Sequence, residues 1–198
     1  MKNIYRISLA ILSAALLSNC ALGTTQINVS HSPLQPAPVQ RSGTIIVKPF
    51  TDSRKVDDKK SIGNKRNGYG MVLGGFATQG GRTVAEIMTE HVADALRAAG
   101  YQAVVEGASG SSSSGTVLEG DVYEFWLDMF TACWHNVGVD VSLKKGSSVV
   151  WRKKFDGSET NVLWVGLNSE IEKVVRQALD KALNAAVKEF SSADFASK

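Results

Sequence analysis

Apolar positions between Thr44 and Phe190 repeat with two periods, close to four residues over two long stretches and close to two elsewhere. The first helical stretch is well bounded. Thr83 is placed to cap it, Glu86 stands three residues on at capping-box spacing, and Gly100 terminates it. Between them Ile87, Met88, Val92, Ala95, Leu96 and Ala99 form one stripe. The second helix is predicted from about Ser169, with Glu172 at capping-box spacing. Its stripe of Ile171, Val174, Val175, Ala178, Leu179, Ala182, Leu183, Ala186, Val187 and Phe190 is wide enough to dock on a sheet.

Strands are predicted at Thr44–Val47, Tyr101–Val105, Thr116–Met129, Cys133–Leu143 and Val149–Phe155. In the third, alternation puts Val117, Tyr123, Phe125, Leu127 and Met129 on one face. In the fourth, Cys133, Val137, Val139, Val141 and Leu143 share the inner face, and Asn136, Asp140, Ser142 and Lys144 the wet one. Lys145-Gly146-Ser147 turns the fourth strand into the fifth. This order predicts an α+β domain over 44–192: a mixed, mostly antiparallel sheet with two helices packed on one face. Thr51 to Gly81 reads as a long loop, its first half charged and its second, 68–77, rich in glycine. Residues 193–198 read as a tail.

The start of the chain has another character. Lys2 and Arg6 precede an apolar run from Ile7 to Leu17, too short for a stable span of about 30 Å. It reads as a signal peptide over 1–19. Leu17-Ser18-Asn19-Cys20 resembles the lipobox of bacterial lipoproteins, which implies acylation of Cys20; Asn19 departs from the usual small residue. The competing reading is an ordinary signal peptide with Cys20 a bystander. Ala21 rather than Asp after the cysteine implies the outer membrane, with the domain facing the periplasm. Residues 20–43, with Pro33, Pro36 and Pro38 and little charge, read as a spacer; at most Gln26–Ser30 adds an edge strand. Cys133 is the only other cysteine, expected as a small buried residue, with a Cys20–Cys133 bridge as the alternative.

Composition narrows the function. With 43% hydrophobic and 21% charged residues the chain is globular, and its charge of +3 loses two when Lys2 and Arg6 leave with the leader, so nothing points to nucleic acid. His31, His91 and His135 fall in the spacer, a helix and a strand, without metal-ligand spacing, so neither metal nor cofactor is expected. No nucleophile elbow or paired carboxylates suggest an enzyme, and Asp57-Asp58 read as solvated charge. The glycines at 68–77 lack the Gly-Lys-Ser/Thr of a phosphate loop. Their segment instead carries Tyr69, Met71, Val72, Leu73 and Phe76, which with Arg54 and Arg66 are the candidate contact residues for a partner or a membrane. Trp126 and Trp134 lie opposite the apolar stripes of their strands, where packing under a second layer competes with a glycan platform; Glu124 and Asp128 are the only carboxylates beside them. Trp164 is expected to pack the link to the last helix.

Lys48-Pro49-Phe50-Thr51-Asp52-Ser53-Arg54, Ile62-Gly63, Leu96-Arg97-Ala98-Ala99-Gly100-Tyr101, Gly120-Asp121-Val122-Tyr123-Glu124-Phe125-Trp126 and Val150-Trp151 resemble the YajG-like family of bacterial lipoproteins. The resemblance implies a lipid-anchored envelope protein without catalytic residues. The expected role is a non-enzymatic binding or assembly module for another envelope component. The alternatives are an oligomeric subunit of an export assembly and a protein that binds or processes cell-wall glycan.

Overall fold

A computed structural model describes residues 23–38, 40–41, 43–107, 115–163 and 167–198. The signal segment, Cys20 and Trp164 lie outside them. Nine strands form one curled mixed sheet: β1 (Gly23–Ile27), β2 (Thr44–Val47), β3 (Thr51–Asp52), β4 (Ser61–Arg66), β5 (Val72–Thr78), β6 (Gln102–Val105), β7 (Thr116–Met129), β8 (Cys133–Lys145) and β9 (Ser148–Asn161). Helices α1 (Val84–Ala98) and α2 (Asn168–Phe190) cover its inner face, and a single turn, α3 (Ala193–Ala196), closes the chain. The α+β expectation holds.

β7 organises the sheet. One edge pairs antiparallel with β8 along its length, and β9 continues that meander. The other edge takes β2, β3 and β4 in turn, all parallel. β2 pairs onward with β6, and β4 with β5 and then β1. The core lies under the helices, where Leu118, Val122, Phe125 and Leu127 of β7 and the expected inner residues of β8 meet the stripes of α1 and α2.

Five expectations need correction. The stretch read as a loop, 51–81, contains three strands. Two of its glycines stand where backbones approach too closely for a side chain: a Cβ at Gly63 would lie 1.8 Å from the Leu127 carbonyl oxygen, and one at Gly74 2.2 Å from that of Gly23. In β7 a bulge between Val122 and Glu124 reverses the alternation. Leu118 and Val122 therefore point inward before it and Phe125 and Leu127 after it, while Val117 and Tyr123 leave the core face.

The spacer, in turn, is part of the domain from Gly23 on. β1 adds to the sheet, and Ile27 and Val29 are buried. Residues 28–38 then cross the helices as a strap: Ser32 donates to both oxygens of Asp180 (2.7 and 2.6 Å) and Ala37 N–H to Ala98 O; farther on, Arg41 donates to Ser191 O. Glu172 serves this strap, accepting from Asn28 N–H at 3.0 Å, and the carboxylate that caps α2 is Glu170, bonded to Leu167 N–H. Finally, the tail is packed, with Phe195 buried against Tyr101, Trp151 and Phe190.

Candidate functional site

The pairing registers bring five chain segments to one end of the sheet. β4 runs parallel to β7 with Lys65 opposite Met129, so the β4–β5 turn projects beyond the C-terminal end of β7. The β7–β8 turn, the end of β9 and the start of α2 lie at the same end. Gly23 pairs with Gly74, so the described chain also begins there.

This end is unusually apolar for a surface. Seven large hydrophobic side chains are exposed among the described residues, and six of them are here: Tyr69, Met71, Val72, Phe130, Val162 and Leu167. Tyr69 is 90% exposed, Met71 59% and Val72 54%. The turn holds them out on a fixed frame. Asn67 Oδ1 accepts from the backbone N–H groups of Tyr69 and Met71, each at 3.0 Å, and Asn67 N–H donates to Met71 O. Arg66 clamps the base of the turn with Nε bonded to both oxygens of Asp128 (2.9 and 3.0 Å) and Nη1 to Gly70 O. Asp128 raises the Arg66 pKa further, so this clamp stays charged.

Behind the turn a groove of about 640 Å³ runs between the hairpin and α2, with Leu73, Phe76, Met129, Leu167 and Ile171 as apolar walls and Lys65 and Arg66 on its lining. Of the seven candidate contact residues, Tyr69, Met71 and Val72 stand on the tip and Leu73 and Arg66 on the groove. The other two must be corrected. The Phe76 ring is fully enclosed, exposing no area beyond the groove it closes. Arg54 is 6% exposed, its guanidinium spent on Asp52 and on the carbonyls of Lys59, Ser61 and Phe125.

Trp126 and Trp134 are half-buried on the outer face of the sheet, not under the expected second layer. Of their neighbouring carboxylates, Asp128 is bound by Arg66, and Glu124 lines a small hollow of about 240 Å³ beside Arg54 and Trp126. Cys133 is buried, and burial with the nearby Asp128 charge pushes its thiol up to about 12, which makes it inert at neutral pH.

Two histidines are held neutral. Burial lowers His91 to about 4, and burial lowers the fully enclosed His135 to about 3. Neither ring nitrogen of His135 has a hydrogen-bond partner. Unfolded histidine titrates near 6.5, so the unfolded chain binds more protons between these values. The stability that both contribute is whole above about pH 6.5 and drains as pH falls toward 4. Thermal melts in chelator are expected to show Tm falling between pH 7 and pH 5, before carboxylates titrate. A Tm flat across that interval rejects the neutral burial of both rings.

The sequence reading missed one cluster. His31, on the strap, meets His91 and Asp94 of α1, one ligand atom from each lying within 4.8 Å of the others. Some sixty residues separate His31 from His91 in the chain, so no spacing could signal it.

No family model matches the chain, and no curated protein matches it. Solved structures do. Protein XCC0632 from Xanthomonas campestris, of family model DUF330, is 18% identical, with 83% of this chain and 91% of that one covered and a TM-score of 0.51. The solved structure of an uncharacterized protein is 11% identical, covering 86% and 99%, at 0.52. Lipoprotein GNA1162 from Neisseria meningitidis is 14% identical, covering 68% and 95%, at 0.40. At such identities the first two establish a shared fold and leave activity open.

Proposed function

We propose that this chain is a lipid-anchored envelope protein, acting as a non-enzymatic binding module whose apolar end rests on the bilayer that carries its anchor. One observation carries the reading: the exposed apolar residues gather where Gly23 enters the sheet, three residues after Cys20. Three residues span at most about 11 Å. An acyl group on Cys20 therefore keeps Tyr69, Met71 and Val72 within headgroup reach, with no spacer to lift the domain away. Two acyl chains suffice for stable anchoring. Burying each exposed tip side chain adds roughly 1–2 kcal/mol, enough to orient the domain and too little to hold it alone. Among the described residues no helix is long and apolar enough to cross a membrane. Ala21 after Cys20 favours the outer membrane, with the wet face of β8 and β9 turned to the periplasm and to another envelope component.

Unlipidated Cys20→Ser protein separates the two contributions. It is expected to lose palmitate labelling yet still sediment weakly with phosphatidylethanolamine–phosphatidylglycerol vesicles. Adding Tyr69→Ser, Met71→Ser and Val72→Ser is expected to lower that partitioning by roughly 10-fold or more. Equal partitioning of the two proteins removes the bilayer as the occupant of this end. Native mass in detergent tests the competing oligomer: a monomer at micromolar concentration speaks against it.

A further inference from the structure

We propose that His31, His91 and Asp94 form a binding site for a divalent transition-metal ion of the zinc class, which clips the N-terminal strap to α1. The case for a cation rests on what the three side chains offer one another. His31 Nδ1 lies 2.7 Å from Ser32 O, and a carbonyl only accepts, so that nitrogen carries the hydrogen. In the neutral ring Nε2 then turns a lone pair toward Asp94 Oδ2 at 3.4 Å, two acceptors face to face. His91, with its ring centroid 4.7 Å from that of His31, has Nε2 buried without a hydrogen-bond partner. Electron pairs converge here, and a cation completes the set.

The dimensions suit zinc. Bonds of about 2.0–2.2 Å in a tetrahedral site put neighbouring ligand atoms roughly 3.3–3.6 Å apart. The His31–Asp94 pair already has that spacing, and the widest separation of 4.8 Å closes with a side-chain shift of about 1 Å. His91 and Asp94 sit three residues apart on one helix face. The outer contacts resemble those of known sites: Arg97 Nη1 holds Asp94 Oδ1 at 2.7 Å, leaving Oδ2 for the metal, and Ser32 O fixes the His31 tautomer. Two imidazoles, one carboxylate and a solvent-facing fourth position beside Asp94, whose side chain is 43% exposed, make an open zinc site. Arg82 and Arg97 add positive charge nearby and keep the affinity modest.

The competing occupant of the gap is a proton on His31, giving an imidazolium paired with Asp94. Chelator-stripped full-length protein in detergent, dialysed against micromolar zinc, decides between them by elemental analysis. A single equivalent is expected, with affinity at least about 10-fold weaker in His31→Ala and Asp94→Asn. Asp94→Asn, half exposed and nearly isosteric, keeps the fold if His31→Ala loosens the strap. Cobalt in place of zinc is expected to give the intense visible bands of a tetrahedral site, absent from both variants. No uptake by the stripped protein, or equal uptake by the variants, overturns the site and leaves the proton as its occupant.

Discussion

Replacing Arg54 with methionine is expected to cost about 3–5 kcal/mol of folding stability. Asp52 is nearly as buried as Arg54 and accepts from it at 3.0 Å (Nε) and 2.7 Å (Nη2). Methionine fills the same volume and leaves that carboxylate in the interior without a bidentate partner; Lys59 Nζ, at 3.7 Å and itself partly solvated, replaces little of it. The carbonyls of Lys59, Ser61 and Phe125 lose their donor at once. One guanidinium thus ties the turn after β3, the start of β4 and the middle of β7. Against a typical total of about 5–15 kcal/mol, losing it removes about a fifth or more. Urea unfolding measures the loss. Asp52→Asn in the same chain is expected to restore part of it, because the amide is cheaper to bury unpaired than the carboxylate. A loss below about 1 kcal/mol would put the pair in water, where surface ion pairs contribute that little.

Arg54 also shows where a sequence reading fails. A run holding Arg54, Lys55, Lys59 and Lys60 looks like a solvated patch, and nothing local marks the one member that folds inward. The signals that did work were local and redundant. Thr83 and Glu86 bond each other's backbone N–H groups at the start of α1, as their spacing requires, and Gly100 ends the helix with φ of +95°. The strict alternation of β8 reports its inner face correctly, because its pairing with β9 shifts only past Leu143. In β7 the same logic assigned Val117 and Tyr123 to the core, because the bulge that reverses the faces is set by pairing with β8. Glycine misled for a related reason. Gly74 lies in a strand because another strand needs the space its side chain would fill, and that neighbour, β1, sits fifty residues earlier in what reads as a proline-rich spacer. The contact surface was therefore half legible. Tyr69, Met71 and Val72 were recognisable as apolar residues without a core role, whereas the groove, the start of β1 beside Gly74 and the histidine cluster all depend on where the strap lies.

Gly157→Val is expected to cost about 3 kcal/mol or more, at the upper end of overpacking. Gly157 faces inward on β9, opposite Val137, and α2 crosses directly over it. A Cβ there would lie 2.1 Å from Ala178 O and 2.9 Å from Ala182 N. Both are helix backbone, which cannot turn aside as a side chain can, so the helix must lift. Lifting it loosens Val174, Val175, Leu179 and Leu183, all buried along its inner stripe. Gly157→Ala is expected to show a smaller loss of the same origin. Gly68→Ala in the β4–β5 turn is the matched control, since nothing lies within 4 Å of its added Cβ, and its effect is expected to stay within about 0.5 kcal/mol. Equal midpoints for the two alanine variants in urea would mean that α2 does not dock on Gly157. The contact also reaches the surface: Leu167 and Ile171 at the start of α2 wall the apolar groove, so a lifted helix changes its width. Vesicle partitioning of Gly157→Ala, measured under conditions where it remains folded, is therefore expected to differ from wild type although the substitution is far from the tip, because the helix that shapes the groove is seated by a single missing side chain.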